Sequence, residues 1–341
     1  MVKALADNPD HIERLCRLFD LGSVPNRVSR VAGGFHHRMW CLETQYDRFA
    51  VKQLADDMDM RNPAIVAQLN ATEVTATEFA RHGIPALHSL HVDRQHLQVL
   101  DGVGYLVYPW TNATACHRNG IGKYHAVRVA GILARMHRSD ISVPELGDVP
   151  AFPLTSARVI ELVQLARQRN VRDSHILEDR LEDLLRIVAL HAPALARLQE
   201  YQVVSHGDLD HKNVLWSETG EPLVIDWESA RRLNPTYEIL LEALDWGGIT
   251  AHFDTRPFTT ILQAYVDAGG LIAQDMIPAA ADAIQGAWVS WLLYNVGRAV
   301  GLKDPRQRAI GSSQVDLVLS ALLRMEKQAD RLTGIAMRYA S

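Results

Sequence analysis

The stretch of sequence that decides the fold is residues 203–228, which read VVSHGDLDHKNVLWSETGEPLVIDWE. Apolar residues open and close it, as in β-strands, and the turn residues Glu218-Thr219-Gly220 separate two further apolar runs. Asp208 and Asn213 lie in the first loop, and Asp226 ends the last apolar run. The order strand, loop, strand, turn, strand therefore predicts a β-hairpin that brings Asp226 back beside Asn213.

Asp208, Asn213 and Asp226 are the side chains of this stretch that fit phosphoryl transfer. That reaction needs a carboxylate that orients the attacking hydroxyl and accepts its proton, and oxygen ligands for the magnesium that neutralises the phosphates. Asp208 suits the first role. Asn213 and Asp226 suit the second, because magnesium prefers hard oxygen donors. The pattern predicts a catalytic base followed by two metal ligands.

Three motifs carry a resemblance to a known family: His206-Gly207-Asp208, Asn213-Val214-Leu215 and Ile225-Asp226-Trp227-Glu228. They resemble the motifs of the aminoglycoside phosphotransferase family of small-molecule kinases, which also contains choline, homoserine and macrolide kinases. The resemblance implies an α+β, bilobal, protein-kinase-like fold with a β-sheet N-terminal lobe and a mainly helical C-terminal lobe. One departure is Asp210-His211-Lys212, where many members have His-Pro-Gly; it leaves the shape of the loop open.

The first third of the chain has the pattern of strands around one helix. Asp101-Gly102 is a strong hairpin-turn dipeptide, and Pro63 and Gly83 suit the start and the end of a helix. The predicted strands are 27–31, 38–44, 48–54, 96–100 and 104–108, and the predicted helix is 63–82. Residues 1–108 are therefore expected to form a five-stranded antiparallel sheet with one helix. By the resemblance, this is the nucleotide-binding lobe.

Helical periodicity dominates after Trp110. The predicted helices are 123–138, 156–169, 175–200, 256–268, 279–300 and 313–333. Residues 109–341 are expected to form a helical lobe that carries the catalytic loop and the substrate site. The boundary near 108–112 is short and is expected to act as a hinge.

A kinase of this type needs a lysine that reaches the nucleotide phosphates and a glutamate that holds the lysine. Phe49-Ala50-Val51-Lys52 supplies the lysine at the end of an apolar strand. The glutamate is Glu73 or Glu78, which lie about 140° apart around one helix and cannot both face Lys52. Glu73 is favoured, since family members usually carry the glutamate at its position.

The remaining nucleotide contacts are weaker predictions. Gly33 and Gly34 follow the first strand, and glycines permit the close approach of backbone to phosphate. A plain hairpin turn is the alternative. The resemblance places a hinge at Tyr108 and Trp110, with backbone groups that meet the nucleotide base.

Acidic and aromatic side chains are the candidates for contact with the acceptor. They are Asp210, Glu228, Glu238, Glu242, Asp245, Trp288 and Tyr294. The carboxylates would form an acidic rim for a cationic substrate, or else are solvated or structural. The two aromatic residues lie on one helix face, which suits either a pocket or the core.

Composition narrows the class of protein. The chain has 341 residues, 48% hydrophobic residues and a formal net charge of −5, which suits about two globular domains and excludes a strongly basic nucleic-acid binder. Three cysteines without a CxxC spacing favour a reducing cytoplasm over a disulfide framework or a zinc site. No apolar run is long enough for a membrane span. The expected protein is cytoplasmic, and a monomer or a homodimer.

The residues and the resemblance together predict an enzyme that uses ATP or GTP and Mg²⁺ to phosphorylate a hydroxyl of a small molecule. The favoured acceptor is an antibiotic, such as an aminoglycoside or another cationic antibiotic. A metabolic kinase for choline, homoserine or a sugar is the alternative. A non-catalytic nucleotide-binding pseudokinase is an alternative of another class, against which the intact set Lys52, Asp208, Asn213 and Asp226 argues.

Overall fold

The computed structural model describes residues 3–23, 27–31, 37–147, 154–302 and 305–341. The chain divides into two compact units. The first consists of residues 1–116, 141–147 and 212–231, and the second of residues 117–140, 148–211 and 232–341. The hairpin within 212–231 therefore groups with the N-terminal sheet.

The first unit contains α1 (Pro9–Leu18), β1 (Arg27–Val31), β2 (Arg38–Glu43), β3 (Arg48–Gln53), α2 (Pro63–Arg81), β4 (Gln98–Leu100), β5 (Val103–Pro109), β6 (Thr114–Ala115), β8 (Val214–Trp216) and β9 (Pro222–Val224). The five-stranded sheet has the order β1-β2-β3-β5-β4, and every neighbouring pair is antiparallel. The turn between β4 and β5 has left-handed backbone at Asp101 (φ 48°) and Gly102 (φ 80°), as a tight hairpin requires. The predicted antiparallel sheet is confirmed.

The β8–β9 hairpin is attached to the segment that follows α2. The Val224 amide donates to the Pro85 carbonyl at 2.7 Å, and the Leu87 amide donates to the Val224 carbonyl at 2.8 Å. Beyond β9, the buried Trp227 ring stacks on Phe79 of α2 with 5.3 Å between ring centroids. The chain is therefore held on both sides of Asp226, by backbone hydrogen bonds at Val224 and by the buried Trp227 ring.

The second unit contains α3 (Lys123–Arg138), α4 (Ser156–Gln168), α5 (Ser174–Asp179), α6 (Leu181–Leu198), β7 (Val203–Ser205), β10 (Arg231–Leu233, whose first residue ends the first unit), α7 (Pro235–Trp246), α8 (Thr255–Asp267), α9 (Ile277–Ala299) and α10 (Arg308–Met337). Aliphatic side chains of α4, α6, α9 and α10 form its main core, with Val159, Leu184, Val289 and Val315 among its buried members. None of the helices in the described ranges is long and apolar enough to cross a membrane.

One predicted helix was wrong, and two helices were not predicted. The predicted helix 175–200 is two helices, because Arg180 leaves helical geometry (φ −99°, ψ 10°) between α5 and α6. The unpredicted helices are α1 and α7, which begin after Asn8 and Asn234. In both, the asparagine side chain accepts a backbone N–H of the first turn and a proline follows directly, which is a recognised helix start. Helix α2 begins in the same way, after Asn62.

Candidate functional site

Lys52 and Asp226 meet in the first unit. Lys52 lies on β3 with its side chain 9% exposed, and its Nζ donates to Asp226 Oδ1 at 2.8 Å. The same ammonium pairs with Glu228. These side chains are 174 and 176 residues apart along the chain. The fold therefore joins the predicted nucleotide lysine to the predicted metal ligand.

The ion pair predicted between Lys52 and Glu73 is absent from the described part of the chain. Glu73 is buried on α2, where its carboxylate accepts the Tyr108 hydroxyl at 2.5 Å and the Ser89 amide at 2.8 Å. Burial raises the pKa of Glu73, and these two hydrogen bonds oppose that effect only in part. Lys52 is instead neutralised by the two carboxylates that follow β9.

Glu78 lies elsewhere on α2. Its carboxylate pairs with the Arg81 guanidinium at 2.5 Å, on the exposed side of the helix. Of the two candidate glutamates, Glu73 is the one whose charge interacts with that of Lys52, since the lysine lowers the pKa of Glu73.

The backbone around Asp226 explains how its carboxylate is presented. The Ile225 amide donates to the Asn213 carbonyl at 2.9 Å, which places Asn213 and Asp226 at the same end of the β8–β9 hairpin. Asp226 has a left-handed backbone (φ 63°), which is uncommon outside glycine and recurs at functional sites. Its side chain is 44% exposed, whereas its neighbour Trp227 is buried. The predicted pairing of the hairpin ends is therefore formed.

His37, directly before β2, is a member of this cluster that was not predicted from the sequence. Its Nδ1 accepts the Ala55 amide at 3.0 Å, so its Nε2–H donates to Glu228 Oε2 at 2.7 Å. Burial, followed by the positive charge of Lys52, lowers the pKa of His37 to about 4. Glu228, predicted as a substrate contact, is thus shared between Lys52 and a neutral histidine.

Four more residues were predicted to contact the nucleotide: Gly33, Gly34, Tyr108 and Trp110. Gly33 and Gly34 lie outside the described residues. The Tyr108 side chain is buried against Glu73, and burial raises its pKa well above the usual value. The Trp110 indole donates to Asn112 Oδ1 at 3.1 Å, and the Arg48 guanidinium lies 5.2 Å from its ring centroid. Neither contact tests the predicted role of the backbone at these positions.

Asp208 lies in the second unit, in the loop after β7. It is exposed, whereas the residues on both sides of it, 204–207 and 209–211, are buried. Its amide donates to His206 Nδ1 at 3.3 Å, and Gly207 supplies a left-handed turn (φ 78°) just before it. Buried neighbours fix the loop, while the Asp208 carboxylate stays accessible to a reactant.

Two buried glutamates of α7 hold the loop on either side of Asp208. Glu238 accepts the Gly207 amide at 2.7 Å, and Glu242 accepts the Leu209 amide at 2.8 Å. The two glutamates are 0% and 2% exposed. They were predicted to contact the substrate, and this prediction does not fit their burial.

The environments of Glu238 and Glu242 differ. His137 Nε2 lies 2.6 Å from Glu238 Oε2. Burial raises the pKa of Glu238, but the hydrogen bond and the charge of His137, together with the hydrogen bond from the Gly207 amide, outweigh it, so the pKa is lowered. Burial, followed by the negative charge of Asp208, raises the pKa of Glu242 well above its usual value.

The remaining predicted substrate residues lie in the second unit. Asp245 contacts His211 Nδ1 at 3.1 Å and an Arg118 nitrogen at 3.3 Å, and Asp210 is buried beside them. Trp288 and Tyr294 lie on α9. Trp288 packs against the helical core, whereas Tyr294 stacks on the half-exposed Trp291 with 5.2 Å between centroids. The structure gives Trp288 a core contact.

The sequence matches the phosphotransferase enzyme family over residues 27–281. The chain belongs to this family. Its members are kinases that phosphorylate hydroxyl groups of small molecules, so this chain is a small-molecule phosphotransferase. The resemblance of the three motifs in residues 206–228 is confirmed. No curated protein matches the sequence at a significant level.

Solved structures of other small-molecule kinases share the fold. A spectinomycin phosphotransferase with ADP and spectinomycin is 12% identical, with a TM-score of 0.64 over 90% of this chain and 96% of that one. A choline/ethanolamine kinase family protein from Mesorhizobium loti is 16% identical, with a TM-score of 0.61 over 98% and 100%. An amicoumacin kinase with AMP-PNP and Ca²⁺ is 13% identical, with a TM-score of 0.62 over 93% and 94%. The expected kinase-like α+β fold is confirmed.

Proposed function

We propose that this phosphotransferase moves the γ-phosphoryl group of ATP or GTP to a hydroxyl of a small molecule, with Asp208 as the base. The observation that supports the proposal best is the pairing of Lys52 Nζ with Asp226 Oδ1 at 2.8 Å. Phosphoryl transfer requires a lysine for the nucleotide phosphates and a carboxylate for the metal that bridges them. The fold brings these two groups together from distant parts of the chain.

The donor atoms at the end of the β8–β9 hairpin fit Mg²⁺. Asn213 and Asp226 offer an amide oxygen and a carboxylate, which are hard oxygen ligands, and their backbones are adjacent across the hairpin. When bound, the metal neutralises the charge on the phosphates. The amicoumacin kinase structure contains Ca²⁺ together with a nucleotide analogue, which supports the use of a divalent ion with the nucleotide.

The proposed reaction makes one bond and breaks one. The acceptor oxygen bonds to the γ-phosphorus, and the bond from that phosphorus to the β–γ bridging oxygen breaks. The proton of the acceptor hydroxyl passes to the Asp208 carboxylate, which is exposed at the tip of its loop. Lys52 holds the nucleotide phosphates, and Glu228 and Asp226 orient the lysine before the nucleotide binds. Catalysis is positioning and charge neutralisation.

For the acceptor, we propose an antibiotic, as the spectinomycin phosphotransferase and the amicoumacin kinase share the fold. The Asp208 carboxylate is exposed in its loop, and its negative charge suits a cationic acceptor. The second candidate is an amino alcohol such as choline or ethanolamine. It is supported by the choline/ethanolamine kinase family protein. That structure aligns with 98% of this chain, compared with 90% for the spectinomycin phosphotransferase and 93% for the amicoumacin kinase.

The test is substrate-dependent release of ADP or GDP with Mg²⁺, screened over antibiotics, choline, ethanolamine, homoserine and sugars. With the active acceptor, Asp208→Ala is expected to lower kcat by about 10²–10⁴-fold, the usual contribution of a general base, and to leave nucleotide affinity nearly unchanged. Glu218→Ala, in the exposed turn of the hairpin, is the control and should keep full activity. Undiminished turnover in Asp208→Ala would refute the assignment. Tight nucleotide binding without release for any compound would favour a pseudokinase.

A further inference from the structure

The two glutamates of α7 that hold the loop of Asp208 differ in their contacts: Glu238 has an imidazole partner and, among the described residues, Glu242 has none. They are one helical turn apart and both are buried, and each accepts one of the amides that flank Asp208. Glu238 also has His137 at 2.6 Å. For Glu242, no cation lies within ion-pair distance in the described ranges, and its Oε2 is buried there without a hydrogen-bond partner.

The charged groups that face Glu242 are negative. From the loop these are Asp208 and Asp210, and from α7 itself they are Glu238 and Asp245. Three cationic or imidazole groups of this unit contact other carboxylates: Arg118 and His211 contact Asp245, and His137 contacts Glu238. The buried His206 of the loop accepts the Asp208 amide through its Nδ1. An ionised Glu242 would therefore be a buried charge among like charges, which is among the most unfavourable arrangements in a protein interior.

We propose that Glu242 is a positioning residue that works as a neutral carboxylic acid, holding the Leu209 amide without placing a second negative charge beside Asp208. The inference deepens the proposed function, since it takes Asp208 as the base. Glu238 and Glu242 then both hold the loop, but in different protonation states. The ionised Glu238 anchors the loop through His137 and Gly207, and the neutral Glu242 anchors it next to the base.

The test compares Glu242→Gln with wild type in urea unfolding between pH 5 and 7. Glutamine mimics the neutral acid and cannot ionise. In wild type the native state keeps the proton of Glu242, while the unfolded chain, with a glutamate pKa of about 4.3, has released it. The wild-type unfolding constant should therefore rise about tenfold per pH unit relative to that of Glu242→Gln.

Glu161→Gln is the control, with the same residue type at an exposed position on α4. Its unfolding constant relative to wild type should be independent of pH in this range, because an exposed side chain has similar surroundings in the folded and the unfolded chain. A pH-independent ratio for Glu242→Gln would overturn the proposal. So would failure of Glu242→Gln to fold at pH 6, because the neutral isostere should fit the site.

Amide hydrogen exchange tests the positioning role. Glu242→Gln retains an acceptor for the Leu209 amide and should keep its protection, whereas Glu242→Ala should speed exchange at Leu209 at least about tenfold, the effect of losing one hydrogen bond. Wild-type protection in Glu242→Ala would overturn this role. Neither measurement depends on turnover, so failure of the proposed function, seen as full activity in Asp208→Ala, is distinguishable from failure of this inference.

Discussion

Replacement of Glu238 by alanine removes the ionised carboxylate that supports the loop of Asp208. In the native structure this carboxylate is fully buried, and it accepts the Gly207 amide at 2.7 Å and pairs with His137 Nε2 at 2.6 Å. Alanine leaves both nitrogens in the interior without this acceptor. The substitution should therefore destabilise the fold and loosen the backbone just before Asp208.

The magnitude follows from the two contacts. A buried hydrogen bond to a charged group contributes about 1.5–3 kcal/mol, so the loss of two lowers the free energy of unfolding by about 3–6 kcal/mol. That is a large part of the total stability of a typical protein, which is about 5–15 kcal/mol. Most of this effect comes from donors left unpaired, and the retained contact between His137 Nδ1 and the Tyr265 hydroxyl at 2.8 Å does not replace the missing acceptor.

The assay is urea unfolding at pH 7, followed by circular dichroism. Glu161→Ala is the control, because Glu161 is 58% exposed and pairs with Arg158 on the surface of α4, where an ion pair contributes about 0–1 kcal/mol. A change of less than about 1 kcal/mol for Glu238→Ala, similar to that of the control, would refute the claim that this carboxylate supports the loop.

Two further predictions concern the first unit. Lys52→Met should raise the KM for the nucleotide about tenfold to a hundredfold, which is the contribution of a charge-assisted hydrogen bond. The control Lys327→Met, on the exposed side of α10, should leave the KM unchanged. Equal KM values for the two variants in a coupled ADP assay would contradict the role of Lys52. Burial and the nearby His91 lower the pKa of His96 to about 4, against about 6.5 in the unfolded chain. The unfolded state therefore takes up the proton first as the pH falls. The free energy of unfolding should decrease by about 3 kcal/mol between pH 6.5 and pH 4. His96→Asn should remove this part of the acid sensitivity in urea unfolding at several pH values, and an unchanged pH dependence would show that His96 is not its source.

Local patterns predicted most of the regular structure. Helix α3 begins and ends where its periodicity does, at Lys123 and Arg138, and β1 occupies the predicted 27–31. The failures have local causes as well. Asn234-Pro235 is a helix start like Asn62-Pro63, but the α7 segment is largely buried and lacks a clear polar face, so its periodicity is weak.

The candidate site was predictable as a set of residue types but not as a set of contacts. Asp208 and Asp226 are recognisable because their chemistry and spacing depend on one short stretch of chain. Lys52 pairs with whichever carboxylate lies within about 4 Å of its ammonium in the folded chain. Strand pairing and the packing of Trp227 on Phe79 bring Asp226 to that position.

The sequence by itself determined the family, the antiparallel sheet, most helices and the side chains suited to phosphoryl transfer, because these follow from local periodicity and short motifs. Only the tertiary structure decided that Lys52 pairs with Asp226 and Glu228, while Glu73 binds Tyr108 and Ser89. Only the tertiary structure also decided that the glutamates of α7 are buried against the loop. Ion pairing and protonation depend on distance and burial between residues far apart in the chain, and no local pattern encodes those two quantities.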